Sequence, residues 1–287
     1  MLSVFVAALF VYPVKGCRAT FSSSAVVEAR GLRFDRRWMF VHEGSGSFLS
    51  QREHPELARL VITVADSGDL DATWDDDSLT VPHIADAELP SAPATIWSYT
   101  GDALDCGDDA ARFFSDKLRF PVRLVRVPND WNRRVKPGFA VSDNDGTGFA
   151  DGFPVLLTST ASLADLNGRL GANNAVPMNR FRPNIVVAGD GLAAWSEDGW
   201  RTVRIGDAVF HNVKPCDRCA VTTIDQTTGT RTGAEPLATL TRFRRDPVTG
   251  KVLFGANLTP DAALAPGSVI KVGDAVRGSN DPRNPWA

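Results

Sequence analysis

The hydrophobic positions of the chain fall mostly in short runs rich in β-branched and aromatic residues, and Gly, Asp or Asn separates one run from the next. Residues 38–51 have the pattern of a strand, a Gly-Ser turn and a second strand, and residues 57–83 continue the same rhythm. Residues 199–213 and 267–278 predict two further strand pairs, each joined by an internal Gly-Asp turn. The first twelve residues are mostly apolar and predict a buried strand.

Only two stretches carry a helical period. Residues 108–118 begin with acidic side chains, as helix starts favour, and repeat Ala111, Phe114 and Leu118 on one face. Residues 159–170 begin with Ser and Thr as cap candidates and repeat leucines on one face. The predicted fold is therefore mainly β with a few helices, of the α+β class. Barrels or closed sheets suit so many short strands better than a layered α/β plan.

Composition and charge narrow the possible functions. The 287 residues are 43% hydrophobic and 23% charged, which is typical of a globular protein with one large or two modest domains. A formal net charge of −3 gives no electrostatic reason to expect a nucleic-acid partner. The apolar amino terminus is too short for a membrane span. Four cysteines are too few for a disulfide framework, and we expect a cytoplasmic protein.

A boundary between two domains is predicted near residues 125–150. The chain there is polar, rich in Gly, Asp and Asn, and without a sustained hydrophobic period. Such a stretch is longer than most loops inside compact domains, and loops of this kind are often functional. We therefore predict an N-terminal β-rich region over residues 1–120 and a second domain over residues 121–280.

Two cysteines lie three positions apart, at Cys216 and Cys219. A structural zinc site needs four ligands, and Cys17 and Cys106 could complete one only if the fold brought distant segments together. A thioredoxin-like dithiol is expected at the start of a helix, whereas the segment after Cys219 is β-like. The four histidines show no metal-ligand spacing. From these residues alone, the role of the cysteine pair stays open.

Basic residues stand out more than any acid-base pair. Several lie inside apolar segments, where a charged side chain must either face solvent or meet a partner. They either alternate outward on exposed sheet faces or converge on an anion, because guanidinium groups bind phosphate in bidentate fashion. No Gly-rich phosphate loop accompanies them. The residues concerned are Lys15, Arg36, Arg37, Arg52, Arg180, Arg182 and Arg218.

A set of motifs occurs in order along nearly the whole chain: YPVKGC, GLRFDRRWMFV, SQREHPELARL, RFRPNIVV and GDAVFHNVKPCDRCAVTTIDQTTG. Each fragment alone is weak, but the ordered set resembles the MOSC-domain proteins that carry a MOSC N-terminal β-barrel region, in particular the amidoxime-reducing components and their bacterial counterparts. The resemblance implies a MOSC β-barrel plus a smaller N-terminal barrel-like region. It also implies a molybdenum enzyme that holds molybdopterin.

The resemblance assigns roles to individual residues. Cys219 corresponds to the cysteine that binds molybdenum, and a soft thiolate suits such a metal. Lys15, Arg36, Arg182 and Asn184 correspond to residues that hold the phosphate and the ring of the pterin. Further residues that the resemblance places at the cofactor are Arg52, Gly152, Phe153, Asp217, Arg218 and Asn257. Cys219 and Asp217 are in addition the candidate catalytic residues, although an Asp beside an Arg is more often a structural ion-pair partner.

The reaction implied by the resemblance is the reduction of N-hydroxylated bases and amidoximes by removal of their oxygen at molybdenum. The electrons would come from a separate donor protein of the iron-sulfur, flavin or haem class. Two features depart from the family: Gly16 stands where a serine is common, and no cysteine follows Cys219 for a ferredoxin-like domain. The alternatives are a carrier of molybdenum cofactor or a sulfur-transfer protein without redox turnover, and a β-barrel module for another phosphorylated ligand.

Overall fold

The computed structural model describes residues 4–280. Strands dominate this range, and the helices are short. The strands are β1 (Val4–Val11), β2 (Thr20–Ser22), β3 (Ser24–Glu28), β4 (Gly31–Leu32), β5 (Trp38–His42), β6 (Val61–Val64), β7 (Leu70–Trp74), β8 (Asp77–Val81), β9 (Ser91–Ile96), β10 (Tyr99–Asp105), β11 (Val122–Arg126), β12 (Val155–Ser159), β13 (Ile185–Ala188), β14 (Trp200–Ile205), β15 (Ala208–Asp217), β16 (Leu253–Pro260), β17 (Val269–Lys271) and β18 (Ala275–Asn280). The helices are α1 (Asp108–Leu118), α2 (Thr160–Leu170), α3 (Ser196–Gly199) and α4 (Leu237–Phe243), with short 3₁₀ helices at Pro55–Arg59, Asp86–Glu88, Ala172–Asn174, Met178–Phe181 and Ala220–Thr223.

The larger part of the fold is a closed barrel. Within residues 4–280, its seven strands follow the order β13, β12, β16, β15, β14, β18, β1. The barrel closes through β1, which pairs antiparallel with both β18 and β13. Val6 and Leu9 of β1 are fully buried in the barrel core together with Phe210 and Leu258. The prediction of a closed β architecture is confirmed, because the pairing of β1 on both sides removes the edges of an otherwise open sheet. The buried strand predicted in the first twelve residues is confirmed for Val4–Val11, and residues 1–3 lie outside the described range.

The N-terminal region forms a smaller, half-closed arrangement of strands. One sheet has the order β5, β11, β10, β9, and a separate meander joins β6, β7 and β8. Helix α1 packs on the first sheet, where the Phe114 and Phe40 ring centroids are 4.7 Å apart. The expectation of a mainly β fold with a barrel-like N-terminal region is therefore confirmed.

Helical periodicity predicted two helices correctly. Helix α1 spans residues 108–118, and α2 begins after Ser159, whose hydroxyl accepts a hydrogen bond of 3.0 Å from the Ser162 amide. Helix α4 was not predicted. It has only seven residues, which are too few for a distinctive helical period in the sequence. Its Leu240 packs in one hydrophobic cluster with Phe254 of β16.

The predicted strand pair at residues 267–278 is wrong. Its two halves join different sheets: β17 pairs with β3, whereas β18 pairs with β14 and β1. The Gly-Asp segment between them bonds to β1 instead of closing a hairpin, because the Val6 amide donates to the Asp274 carbonyl (2.9 Å) and the Gly273 amide to the Val6 carbonyl (2.8 Å). In residues 38–51, the predicted second strand is reduced to two isolated bridges, one between Phe48 and Val41 and one between Ser47 and Thr95.

The chain crosses between the two parts of the fold. Strand β1 comes from the region predicted to end at residue 120, yet it belongs to the barrel together with β12 to β16. Between β11 and β12, residues 127–154 form no strand or helix. This irregular segment coincides with the predicted boundary stretch. The division at residue 120 stays a prediction.

Substitution of Gly255 would test how closely the barrel strands pack. Gly255 has a φ of +81°, and a Cβ added to it would lie 2.7 Å from the Leu157 carbonyl oxygen on β12. We expect Gly255→Ala to lower the free energy of unfolding by about 2 to 4 kcal/mol, because left-handed strain and a backbone clash add. Gly250 is the matched control, since its φ is +69° but an added Cβ meets nothing within 4 Å. Gly250→Ala should cost about 1 kcal/mol in urea denaturation, and equal costs would contradict the clash.

Candidate functional site

A cavity of about 420 Å³ lies where the barrel meets the N-terminal region. Its wall comes from several distant segments: the loop after β1, residues 48–52, the irregular segment before β12, and the ends of β15 and β16. The structure brings every predicted site residue to this wall: Lys15, Arg36, Arg52, Gly152, Phe153, Arg182, Asn184, Asp217, Arg218, Cys219 and Asn257.

The cavity is strongly basic. Six basic side chains line it but only two acidic ones, Asp151 and Asp217. Of the basic residues singled out in the sequence, Arg37 and Arg180 lie outside the cavity wall and pair with Glu28 and Asp225 instead. A concave site with this charge excess favours an anionic ligand.

Tyr12 positions two of the guanidinium groups. Its ring is buried, and the Arg36 and Arg182 guanidinium carbons lie 4.1 Å and 4.4 Å from its centroid. Burial raises the pKa of Tyr12 to about 12, so its neutral hydroxyl donates to the Pro183 carbonyl at 3.1 Å. Arg36 and Arg182 also have positive φ values of 47° and 54°, an uncommon conformation for residues other than glycine. Such strain concentrates at functional sites.

Asp35 and Asn184 form a polar network behind Arg36. Asp35 is 2% exposed, pairs with the Arg36 guanidinium at 2.7 Å and accepts a 2.9 Å hydrogen bond from Asn184 Nδ2. Asn184 Oδ1 accepts from the Leu156 amide and from Arg36 Nη1, each at 3.1 Å. Both ends of the Asn184 amide are therefore engaged, and the residue fixes the direction of the Arg36 side chain.

Lys15 is buried at the opposite side of the basic set. Its ammonium group donates to the Phe149 carbonyl at 2.9 Å and forms an ion pair with Asp151. Burial lowers the pKa of Lys15, and the Asp151 carboxylate counteracts that shift. Asp151 in turn accepts from Trp97 Nε1 at 3.2 Å. Lys15 is thus held in a fixed direction.

The two cysteines line the same cavity and contact different arginines. Arg52 Nη2 donates to Cys219 Sγ at 3.3 Å, and Arg218 Nη1 donates to Cys216 Sγ at 2.9 Å. Burial raises the pKa of the Cys216 thiol, although Arg218 opposes this shift. Cys219 follows the end of β15 and precedes the 3₁₀ helix Ala220–Thr223. The two thiols therefore have different surroundings.

Asp217 is exposed, and its carboxylate pairs with Lys214. Partial burial opposes ionisation, but the Lys214 contact outweighs it and holds the pKa of the Asp217 carboxyl below its usual value. A carboxyl group that is ionised at neutral pH is a poor proton donor. The geometry therefore favours a charge-balancing contact for Asp217, and its catalytic role stays a prediction.

Two irregularities in the pairing of β15 with β16 shape the wall near the cysteines. The register shifts between Asn212 and Lys214 and again between Pro215 and Asp217, opposite Asn257 and Gly255. Bulges of this kind bend a strand and turn side chains in new directions, and they occur often beside active sites. They explain how β15 and β16 can present Cys216 and Asn257, respectively, to one cavity.

Gly152 and Phe153 complete the wall in the irregular segment before β12. A Cβ added to Gly152 would meet no atom within 4 Å, so its backbone faces open space. The Phe153 ring contacts Phe139, with their centroids 5.8 Å apart. The backbone at Gly152 and Phe153 is therefore accessible to a flat ligand in the cavity.

Sequence reasoning missed several residues that support the site. Asp151 and Trp97 lie in loops without any motif, and their contacts to Lys15 and to Arg52 depend on the tertiary fold. Gln226 accepts from Arg182 Nη1 at 2.9 Å and contacts Gln51 at 3.2 Å. Gln226 lies inside the quoted cysteine motif, so the motif itself was the only signal for it.

Neither a zinc site nor a membrane span is found in the described residues. Between residues 4 and 280, no group of three or more His, Cys, Asp or Glu side chains is suited to hold a metal. Cys17 is a fully buried member of a hydrophobic cluster, and Cys106 packs against that cluster. No helix in the described range is long and apolar enough to cross a membrane.

We expect the four cysteines to differ in reactivity. Burial raises the pKa of both Cys17 and Cys106 to about 12, so these thiols should stay protonated and unmodified at pH 8. Cys219 lines the open cavity next to Arg52 and should react first with iodoacetamide. Peptide mass spectrometry of native protein would measure the order, with urea-unfolded protein as the control in which all four react. Early labelling of Cys17 would contradict the packing described above.

Comparisons with known proteins identify the family. Residues 3–121 match the family described as MOSC N-terminal beta barrel domain, and residues 144–277 match the MOSC domain. Mitochondrial amidoxime-reducing component 1 of Mus musculus is 34% identical over 283 residues, which cover 94% of this chain and 81% of the relative. The chain belongs to the MOSC family. The predicted resemblance is thereby confirmed.

Two further relatives of this MOSC protein have different names. Mitochondrial amidoxime-reducing component 1 of Homo sapiens is 33% identical over 283 residues, covering 94% of this chain and 82% of the relative. Molybdenum cofactor sulfurase of Oryza sativa subsp. japonica is 29% identical over 265 residues, covering 86% of this chain but 32% of that much longer protein. Membership of the family confirms the prediction of a molybdenum cofactor.

The residues present fit this cofactor. Cys219 supplies a soft sulfur donor, and the guanidinium groups of Arg52, Arg182 and Arg218 have no carboxylate partner among the ion pairs of residues 4–280. Arg218 Nε is also buried without a hydrogen-bond acceptor in the described structure. These three arginines are half-buried, and cations that are partly withdrawn from water without counter-charges are costly unless a ligand neutralises them. A phosphate-bearing ligand with a thiolate-binding metal satisfies both requirements.

Proposed function

We propose that this MOSC protein is a molybdenum-cofactor-dependent reductase that removes oxygen from N-hydroxylated compounds such as amidoximes. The observation that carries the proposal is one cavity in which a cysteine thiol and three unneutralised guanidinium groups meet. Two relatives at 33 and 34% identity are named amidoxime-reducing components, which supports this substrate class over other redox reactions.

The protein's own residues have distinct tasks in this proposal. Lys15, Arg36 and Arg182 bind the pterin phosphate, and Cys219 provides the thiolate for molybdenum. Arg52, which donates to Cys219 Sγ, keeps that sulfur pointed into the cavity. When bound, the molybdenum cofactor supplies the two-electron chemistry that breaks the N–O bond. With two electrons and two protons, the oxygen leaves as water and the base is released.

The electron donor and the location belong to the same proposal. We infer that a separate donor protein of the iron-sulfur, flavin or haem class delivers the electrons, as the family resemblance implies. A cytoplasmic location stays a prediction that rests on the sparse cysteines. A small N-hydroxylated molecule is the proposed substrate, and nucleic acid is not expected because of the net charge.

Turnover is the direct test. The protein, expressed in a host that makes molybdenum cofactor, should contain molybdenum in equimolar amount with the chain. With reduced viologen as electron source, it should convert benzamidoxime into benzamidine and water, followed by liquid chromatography. Zinc without molybdenum, or equimolar molybdenum without any conversion, would contradict the proposed function.

A second candidate is a carrier of cofactor or of sulfur. The observation that favours it is Cys216, a second thiol on the same cavity wall that the reductase does not need. Sulfurase relatives at 29% identity support the same candidate. A carrier should deliver molybdenum cofactor, or a persulfide sulfur, to an acceptor apoenzyme without reducing benzamidoxime.

A further inference from the structure

Trp97 is an exposed aromatic side chain that the structure nevertheless holds tightly. It lies between β9 and β10, at the tip of a hairpin, and is 45% exposed. Its indole Nε1 donates to Asp151 at 3.2 Å, and the Phe48 ring meets it edge-on with a centroid distance of 4.8 Å. A tryptophan on a free surface has no need of such contacts. The side chain is therefore oriented while much of its ring stays accessible.

The backbone at this position is also unusual. Trp97 has a φ of 55°, in the left-handed region. Two-residue hairpin turns place Gly, Asn or Asp at such positions, and a bulky residue there costs about 1 to 3 kcal/mol. A residue that is strained, exposed and oriented at once indicates selection for function rather than for stability.

Trp97 is connected directly to the proposed metal ligand. The Arg52 guanidinium carbon lies 4.7 Å from the centroid of the Trp97 ring, and Arg52 Nη2 donates to Cys219 Sγ at 3.3 Å. Trp97 and Cys219 both line the cavity. One arginine thus connects the aromatic ring to the sulfur of Cys219.

We propose that Trp97 forms the wall of the substrate subsite and stacks on planar groups conjugated to the N-hydroxylated carbon. This inference rests on the proposed function and names its substrate class: aryl amidoximes and similar flat molecules. Aromatic faces prefer other flat π-systems in offset or edge contact. A flexible alkyl amidoxime gains little from the same wall.

The test compares two substrates with one reacting group. Benzamidoxime carries an aryl ring and acetamidoxime a methyl group, and reduced viologen supplies two electrons to each while the N–O bond breaks and water leaves. In Trp97→Leu, the ratio of kcat/KM for benzamidoxime to that for acetamidoxime should fall by about three- to tenfold, the range of aromatic pair energies. Trp97→Tyr should keep the ratio within about twofold, because a ring is retained.

Binding without turnover gives an independent readout. Calorimetry of the cofactor-loaded protein without reductant should show about three- to tenfold weaker benzamidoxime binding in Trp97→Leu than in wild type. Phe21→Ala is the control, since Phe21 is 59% exposed on β2 and lies outside the cavity wall. Thermal melting and pterin content of each variant report folding and cofactor retention.

Each result has a definite meaning. An equal loss for both substrates, or loss of pterin in Trp97→Leu, would overturn the inference, because Trp97 would then act through Arg52 or the cofactor. An unchanged ratio in a folded, loaded variant would overturn it as well. These outcomes are distinct from failure of the proposed function, in which the wild type reduces neither amidoxime.

Discussion

Cys219→Ser should purify without molybdenum and lose reductase activity by more than about 100-fold. This loss exceeds the range of about 10- to 100-fold that is typical when a residue that only hydrogen-bonds to a metal ligand is replaced. The hydroxyl of serine is hard, and it stays protonated where a thiol ionises, so it is a poor ligand for a soft thiolate-binding metal. Arg52 can still donate to the new oxygen, and the fold should therefore persist. Metal analysis and benzamidoxime turnover measure the two losses separately.

Cys216→Ser is the matched control in the same cavity. Its partner Arg218 can donate to a hydroxyl as it does to the Cys216 sulfur at 2.9 Å, and Arg218 keeps its contact with the Phe181 carbonyl. We expect this variant to retain molybdenum and most of the activity. If both variants lost activity equally while pterin stayed bound, the carrier or dithiol role would be supported instead.

The sequence predicted those parts of the fold that local pattern decides. The apolar run of β1 and the helical period of α1 were sufficient because burial and amphipathic spacing are written in neighbouring residues. The pairing of β17 and β18 was not predictable in the same way. A Gly-Asp turn fits a hairpin as well as a crossing between sheets, and the Val6 backbone, far away in sequence, decides between them.

The same distinction between local sequence pattern and long-range contacts applies to the candidate site. Motifs singled out Lys15, Arg36, Arg182 and Cys219, and the structure brings all four to one cavity wall. Their roles in binding the cofactor stay predictions. Some of the residues that neutralise or orient these side chains lie outside the motifs. Asp151 lies within the long irregular segment of residues 127–154, so nothing local indicates its contact with Lys15. Contacts of this kind are determined by the closed fold alone.

Among the three predicted phosphate ligands, Arg182 is the cleanest to remove. Lys15 has Asp151 as a counter-charge, and loss of Arg36 would leave the 2% exposed Asp35 carboxylate without its cation. That loss would destabilise the fold in addition to the site, because an unpaired buried charge is costly. Arg182 has only a neutral hydrogen-bond acceptor, Gln226 at 2.9 Å, together with the Tyr12 ring.

Arg182→Ala should therefore purify with much less molybdenum cofactor but melt like the wild type when both lack cofactor. Alanine meets the same left-handed strain at φ 54° as arginine, so the backbone cost is equal. Charge-assisted contacts are worth about 1.5 to 3 kcal/mol, which corresponds to roughly tenfold to hundredfold weaker retention. Arg245→Ala, an exposed residue away from the cavity wall, should keep its full complement. Equal pterin content in the wild type and both variants, measured by fluorescence after release and oxidation, would show that Arg182 does not bind the phosphate.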